Sequence, residues 1–310
     1  MIVGFSRKKK TQLDQKLMAS YPSFVKIVEV GPRDGLQSLN QTIPTEDKIR
    51  YIDLLSECSF PEIEVTSFVS PKWIPLLADA DEVSRSILHA PHTVYTALIP
   101  NLPGLENALN AGYNSVAVFT TVSETFSQNN TNCSIDESMK RFSEMRLVWE
   151  EINLRVRGYI STVWHCPYEG KINHKIVIDM ISKLIDLGIT EISLGDTIGQ
   201  AKPDEVRRLL EIILSKWPPS LFALHMHDTF GFAEQNIRAS LELGVSKFDS
   251  STGGMGGCPY AEGSSGNIAT ETLHSLCQSL GIETGIQSNN LIQAADFIKN
   301  TVEKESVTHA

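Results

Sequence analysis

Short runs rich in β-branched and aromatic residues alternate along this chain with longer stretches of helical periodicity. The strand-like runs are residues 24–30, 62–68, 93–99, 115–120, 156–162, 191–196, 222–228 and 247–250. Between them, apolar residues recur at three- and four-residue spacing, as they do at Val206, Leu209, Leu210 and Ile213. This strict alternation predicts an α/β protein in which helices pack on a parallel sheet.

Eight strand–helix units can close into a (β/α)8 TIM barrel or form an open, doubly wound sheet. Polar residues that are unusual for buried strands follow or end several of the predicted strands: Arg33, Asp34, Glu64, Ser67, Asp196, Thr197, His225 and His227. An open sheet would scatter these residues over two edges, whereas a barrel gathers them at one mouth. The pattern therefore favours the barrel, with residues 1–22 as a polar arm, 23–302 as a single barrel domain and 303–310 as a C-terminal tail.

The charge balance narrows the possible partners. The formal net charge is −10, and the only basic run lies at residues 7–10. Nucleic acids and anionic membranes are therefore not expected as partners, because phosphate contacts require clustered Lys and Arg. The chain also has no apolar stretch of the roughly 20 residues that a membrane span needs.

Five cysteines are spread widely along the chain, an odd number that does not suggest a disulfide framework. We therefore expect free thiols in a reducing compartment, the cytoplasm. The basic start leaves a mitochondrial presequence, and hence the mitochondrial matrix, as the alternative.

A glycine-rich segment with a single cysteine, residues 253–267, follows the last predicted strand. So many glycines around one thiol predict a mobile flap whose backbone can approach a ligand closely. Cys258 is then a candidate nucleophile or proton donor, with a small buried apolar residue as the alternative.

His225 and His227 are separated by one residue at the end of a predicted strand. Their side chains point the same way and could bind one metal ion, although a pair of hydrogen-bonded interior histidines would show the same spacing. Asp34 is a plausible third ligand at the same rim, and Asn267 is either a fourth ligand or the N-cap of the next helix. Two imidazoles with two hard oxygens suit Mg²⁺ or Mn²⁺ better than Zn²⁺.

Arg33, next to Asp34, could stabilise a developing oxyanion. An ion pair with Glu64 or Asp196 is the structural alternative, and both roles can coexist.

Five colinear segments, residues 30–37, 64–73, 193–199, 225–229 and 256–260, closely resemble the 3-hydroxy-3-methylglutaryl-CoA (HMG-CoA) lyase family. The resemblance implies a metal-dependent retro-Claisen cleavage of HMG-CoA to acetoacetate and acetyl-CoA, the last step of leucine degradation and of ketone-body formation. It also implies a homodimer.

The resemblance further assigns roles to individual residues. A divalent cation would be bound by Asp34, His225, His227 and Asn267. Arg33 would hold the thioester carbonyl as it becomes an enolate, and Cys258 would protonate that enolate. Glu64 and Asp196 would complete the acid–base network, with either His225 or a carboxylate taking the hydroxyl proton. We also expect contacts to the substrate from Ser67, Thr197, Arg157 and Tyr159.

Two other functions remain open at this stage. Isopropylmalate and homocitrate synthases share the barrel, the Arg-Asp pair and the His-x-His motif, but have a Gly-Glu-Arg-x-Gly-Asn type of flap that residues 261–267 do not match. A catalytically silent CoA-binding protein is the other alternative, although the complete set of candidate ligands argues against it.

Overall fold

The protein forms the closed parallel barrel that the alternating pattern predicts. A computed structural model describes residues 21–258 and 261–308, with described side chains at 21–256 and 266–305. Eight strands, each beside its neighbour in chain order, close the barrel: β1 (Lys26–Glu29), β2 (Glu62–Ser67), β3 (Val94–Leu98), β4 (Ser115–Thr121), β5 (Arg155–Ser161), β8 (Glu191–Asp196), β9 (Phe222–Met226) and β10 (Lys247–Ser250). The predicted fold class is confirmed.

Two short antiparallel pairs lie outside the barrel. One joins β6 (His165–Cys166) to β7 (Gly170–Lys171), after β5. The other joins β11 (Gly257–Cys258) to β12 (Ala261–Ser265), within the glycine-rich segment after β10. The sequence pattern did not predict either pair. Three of the four strands have only two residues, which is too short for a detectable periodicity.

Helices follow the barrel strands along the chain. They are α1 (Thr45–Ser56), α2 (Ala80–Ser86), α3 (Leu102–Asn110), α4 (Glu124–Thr131), α5 (Ile135–Glu151), α6 (His174–Asp186), α7 (Pro203–Leu214), α8 (Ala233–Leu241), α9 (Thr270–Ser279) and α10 (Ser288–Thr308). The last helix continues through residues 303–308, which the sequence had suggested as a tail. The predicted arm lies almost wholly outside the described residues. In the described part of the chain, none of the helices combines the length and the apolar composition of a membrane span.

Helix α7 shows why these segments fold as they do. Its apolar residues at three- and four-residue spacing, Val206, Leu209, Leu210 and Ile213, are all completely buried. Pro203 occupies the first turn, where no intrahelical hydrogen bond is lost, and two acidic residues beside it favour the positive end of the helix dipole. The helix thus turns its apolar stripe to the barrel and its polar face outward.

Charged side chains rather than apolar ones fill the barrel at its N-terminal end. Lys26, Glu62, Arg155, Glu191 and Lys247 are the first residues of their strands. Lys26 Nζ lies 2.5 Å from Glu62, Arg155 Nη1 lies 2.8 Å from the same carboxylate, and Lys247 Nζ lies 2.6 Å from Glu191. Burial alone would raise the pKa of Glu191, but the surrounding cations hold it well below its usual range. The network thus fills this end of the barrel with paired charges.

Candidate metal centre and active site

The C-terminal mouth of the barrel gathers residues from both ends of the chain. Arg33 and Asp34 lie in a short helical turn, Gly31–Gly35, directly after β1. His225 lies on β9, and His227 follows one residue beyond its end. Asn267 forms an isolated antiparallel bridge with His227, which fixes the start of the chain leading to α9. The local backbone therefore delivers all four predicted ligands to one place.

The ligand atoms of Asp34, His225 and His227 lie within 4.8 Å of one another. The Nε2 atoms of the two histidines are 3.3 Å apart, and His225 Nε2 is 3.7 Å from Asp34 Oδ2. The amide nitrogen of Asn267 donates to Asp34 Oδ2 at 2.8 Å, so its side chain joins the cluster as well. Both histidines and Asn267 are at least nine-tenths buried.

The charge states of Asp34 and His227 suit a cation, whereas a protonated His225 would have to lose its proton to bind one. Burial and the neighbouring His225 lower the pKa of His227 to about 3, so this imidazole is neutral and has a free lone pair. Burial alone would raise the pKa of Asp34, but the charges of Arg33 and His225 hold it well below its usual range. Burial alone would lower the pKa of His225, but Asp249 and Asp34 raise it.

When both imidazoles are neutral with their Nε2 lone pairs facing each other, they and the Asp34 carboxylate bring three acceptor sites together. A divalent cation satisfies all three, so the residues present fit a metal ion. The Nδ1 atom of His227 has no hydrogen-bond partner among the described residues, so nothing in that part of the chain locks its proton position.

Arg33 is held beside the cluster by two carboxylates. Its Nε donates to Glu64 Oε1 and its Nη1 donates to Asp34 Oδ1. Glu64 also accepts a hydrogen bond of 2.8 Å from the Tyr159 hydroxyl, and the Arg33 guanidinium lies 5.4 Å from the centre of that ring. Burial raises the pKa of Glu64, although Arg33 and Tyr159 oppose the shift. The ion pair expected with Glu64 is therefore present, whereas no described ion pair joins Arg33 to Asp196.

Arg157 lies beneath this layer and exposes none of its surface. Its guanidinium donates to Glu191 at 2.9 Å, to the Tyr159 hydroxyl at 2.9 Å and to Asp249 at 2.5 Å. With three protein partners and no exposed surface, Arg157 supports the site from below, which disfavours the direct substrate contact expected from the sequence. Tyr159 also lies between protein partners, and its ring is perpendicular to that of His225 with 6.1 Å between the ring centres.

Three other predicted residues lie around the same mouth. Asp196 ends β8 and pairs in register with Met226, which places it beside the histidines. Its Oδ2 accepts from the Ala201 amide at 3.1 Å, and burial raises its pKa to about 7. The Asp196 Oδ1 and Ser67 Oγ atoms are buried without hydrogen-bond partners among the described residues. Thr197 Oγ1 accepts from the backbone of Thr162 at 2.7 Å.

Cys258 remains a candidate whose position the structure does not test. Its backbone belongs to β11, but its side chain lies outside the described side chains. The flanking Gly256 carbonyl accepts from the amide of Gly266 at 3.0 Å, and the Met255 carbonyl accepts from Asn267 at 3.4 Å. The entry and exit of the glycine-rich segment are thus bonded to each other next to the metal ligands.

Sequence reasoning missed two buried carboxylates, Asp249 and Glu29. Asp249 Oδ2 lies 3.3 Å from His225 Nδ1. Glu29 accepts hydrogen bonds from the amide of Gly31, in the turn that contains Arg33, and from the amide of Thr252, in the segment after β10. Each is an acidic residue within a predicted strand. That signal was available, because a charged residue is almost never fully buried unless it is paired.

Comparisons with known proteins agree with this geometry. A family model described as HMGL-like matches residues 24–298. The mitochondrial hydroxymethylglutaryl-CoA lyase of Mus musculus is 46% identical over 289 residues, covering 93% of this chain and 89% of that protein. The cytoplasmic 3-hydroxy-3-methylglutaryl-CoA lyase of Rattus norvegicus is 45% identical over 287 residues, covering 93% of this chain and 84% of that protein. The structure of an HMG-CoA lyase from Acinetobacter baumannii, in complex with coenzyme A and 3-methylmalate, superposes with a TM-score of 0.86 at 37% identity. The match covers 91% of this chain and 92% of that one.

Proposed function

The chain belongs to the HMGL-like family, and from this membership we infer that it is a carbon–carbon lyase that cleaves HMG-CoA to acetoacetate and acetyl-CoA. This reaction serves leucine degradation and ketone-body formation. The observation that carries the inference is the convergence of Asp34, His225 and His227 beside the buried Arg33–Glu64 pair at the open mouth of the barrel. The fold alone would not suffice, since barrels of this kind host many reactions.

We propose that the cation is Mg²⁺ or Mn²⁺ and that Asn267 adds its amide oxygen to the other three ligands. The side-chain amide, whose nitrogen donates to Asp34 Oδ2, would have to turn over to present that oxygen. Such an ion makes a coordinated hydroxyl acidic enough to lose its proton near neutral pH. The protein contributes one carboxylate and neutral side chains, so the loaded site retains a net positive charge. That charge favours the binding of an oxygen-rich, anionic substrate.

Arg33 is placed to hold the thioester carbonyl. Two of its three guanidinium nitrogens already donate to carboxylates among the described residues, which leaves Nη2 for the substrate. When the tertiary hydroxyl loses its proton, the bond between C2 and C3 breaks and its electron pair moves to the thioester oxygen. A fixed cation at that oxygen stabilises the enolate without reorganisation of the site.

Proton transfers complete the reaction. We propose that Cys258 delivers a proton to C2 of the enolate, as the family resemblance implies. Asp196 has a pKa of about 7 and an oxygen that accepts no hydrogen bond from the described residues, so it can exchange a proton near neutral pH. We assign Glu64 to orienting Arg33 and Tyr159, with Ser67 and Thr197 as contacts for the substrate.

Product analysis tests the proposed activity. Purified protein incubated with HMG-CoA and Mg²⁺ should release acetoacetate and acetyl-CoA in equal amounts, whereas the Asp34→Asn variant should release neither. A parallel incubation with acetyl-CoA and a 2-oxo acid tests the synthase alternative. Condensation in that incubation without cleavage of HMG-CoA would contradict the lyase assignment, and the absence of both reactions would favour a CoA-binding protein.

We further propose a cytoplasmic homodimer in which residues 23–302 form one catalytic domain. Reducing surroundings suit Cys58, Cys133, Cys166 and Cys277, which are free in the described part of the chain. The rat relative is named as a cytoplasmic enzyme and the mouse relative as a mitochondrial one. Fractionation of the source cells decides which of the two locations applies to this protein. Light scattering of the purified protein measures the oligomeric state.

A further inference from the structure

We propose that Asp249 is a positioning residue, which holds His225 with its Nε2 atom directed to the metal ion. The inference rests on the metal site of the proposed function. Asp249 lies on β10, is buried to 98%, and is paired in register with His225 on the neighbouring strand β9. Its Oδ2 atom lies 3.3 Å from His225 Nδ1.

The chemistry of the two groups determines where the proton lies. A carboxylate can only accept hydrogen bonds, so the ring nitrogen that faces it must carry the hydrogen. His225 therefore has its hydrogen on Nδ1, and the lone pair on Nε2 points toward Asp34 Oδ2 and His227 Nε2. A carboxylate behind a histidine is a common arrangement in metal sites, where it fixes the ring and makes the ligating nitrogen more basic.

Asp249 is itself held from two other directions. Arg157 Nη2 donates to its Oδ1 at 2.5 Å, and the Ser193 hydroxyl donates to its Oδ2 at 2.7 Å. Arg157 is fixed in turn by Glu191 and by the Tyr159 hydroxyl. The imidazole thus rests on a rigid base rather than on a mobile side chain.

A purely structural role for Asp249, balancing the charge of Arg157, would make the same bonds. A substitution at Glu191 separates the two possibilities, because Glu191 also pairs with Arg157, at 2.9 Å, but has no described bond to His225. Its described partners are Lys26, Arg155, Arg157 and Lys247. Replacing either carboxylate by its amide removes one negative charge from the same guanidinium. Only the change at Asp249 alters the partner of His225.

The first test compares Mn²⁺ affinity by calorimetry in the wild type, Asp249→Asn and Glu191→Gln, with the melting temperature of each metal-free protein as a check on folding. Asp249→Asn should bind Mn²⁺ about 10- to 100-fold more weakly, the range found for lost carboxylate partners of metal-binding histidines. Glu191→Gln should keep the wild-type affinity. An equal loss in both variants, or no loss in Asp249→Asn, would overturn the inference.

The second test needs no variant and therefore does not depend on one folding. Nitrogen-15 NMR of histidine-labelled, Mg²⁺-saturated protein identifies the protonated ring nitrogen of His225. Hydrogen on Nδ1 supports the inference. Hydrogen on Nε2 refutes it, because that nitrogen could then not bind the metal ion, and Mg²⁺ binding in the same sample would show that the other ligands still hold a metal. If the wild type binds neither Mg²⁺ nor Mn²⁺, the metal site of the proposed function is itself wrong, and this inference is wrong with it.

Discussion

Asp34 and Glu29 are carboxylates within five residues of each other, yet their pKa values shift in opposite directions. Asp34 lies against the guanidinium of Arg33, whose charge keeps the carboxylate ionised and available to a metal. Glu29 is completely buried and meets neutral donors only: the amides of Gly31 and Thr252 on Oε1, and the hydroxyls of Thr252 and Thr270 on Oε2. Burial outweighs these bonds and raises its pKa to about 7.

Glu29→Gln should therefore be tolerated. The amide oxygen can accept from the two backbone amides, and the amide nitrogen can donate to the two threonine hydroxyls, which can serve as acceptors. Because the pKa of Glu29 is higher in the folded state than its ordinary value of 4.5, the unfolded chain loses this proton first as the pH rises. Wild-type stability should therefore fall, relative to the variant, between pH 4.5 and about 7, by up to about 3 kcal/mol.

Urea unfolding of both proteins between pH 4.5 and 8 measures this difference. Asp196, which titrates in the same range, is present in both proteins and cancels in the comparison. A difference in unfolding free energy that stays constant across this range would show that folding does not raise the pKa of Glu29. Glu29→Ala, which removes all four bonds, serves as the disruptive comparison and should lower both stability and turnover.

Arg33→Gln should lower kcat by about 10²- to 10³-fold, since it removes the charge proposed to face the developing oxyanion. Arg155→Gln is the matched control, because it removes a charge from the opposite end of the barrel, where Arg155 pairs with Glu62 and Glu191. Steady-state kinetics with HMG-CoA should show the loss in the first variant and near-normal turnover in the second. Retention of wild-type kcat by Arg33→Gln would leave this residue with a purely structural role.

At the level of elements, the sequence predicts the barrel well because each strand and helix has its own local pattern. All eight predicted strands are present, and the buried face of α7 consists of the four residues that its spacing indicated. The polar residues at the strand ends, among them Asp34, His225 and His227, lie together at one mouth, as the pattern predicted. Such patterns are local, so they survive without knowledge of the tertiary structure.

The partners of individual side chains were much harder to predict. The bonds from Asp249 to Arg157 and from Glu29 to Thr252 span 92 and 223 residues, and no periodicity encodes such pairs. Arg157 illustrates the consequence: a contact with the substrate was expected of it, but its neighbours enclose it completely. The role of Cys258 stays a prediction, because its side chain lies outside those described.

The glycine-rich segment after β10 offers a test at the same scale. Gly256 has φ +103°, and a Cβ atom there would lie 2.8 Å from the amide nitrogen of Asn267. Gly256→Ala should displace Asn267 and weaken Mn²⁺ binding about tenfold, the lower end of the range for lost support of metal ligands. Calorimetric titration with Mn²⁺ measures the change.

Gly112→Ala is the control for this substitution. Gly112 has a similar φ of +95°, and a Cβ atom there would have no neighbour within 4 Å. Both variants should lose about 1 kcal/mol of stability, because alanine is strained at positive φ. If the two variants bound Mn²⁺ equally well, the contact between Gly256 and Asn267 would have no part in the site.

For the whole molecule, the proposed metal ion links the two ends of the barrel sequence. Asp34 follows the first strand and Asn267 follows the last, and these strands are neighbours where the barrel closes. Binding to the folded state alone should stabilise the protein by about 2.7 kcal/mol when the free metal concentration is 100 times the dissociation constant. Thermal unfolding with and without Mn²⁺ should show the increase in the wild type and its loss in Asp34→Asn. Equal stabilisation of both proteins would place the bound metal elsewhere.

The most direct test of the account is the release of acetoacetate from HMG-CoA by protein that has been stripped of metal with EDTA and dialysed. The account predicts that the stripped protein is inactive and that Mg²⁺ or Mn²⁺ restores turnover. Full activity without metal, or no recovery when either ion is added to a folded protein, would contradict the claim that Asp34, His225 and His227 bind a catalytic cation.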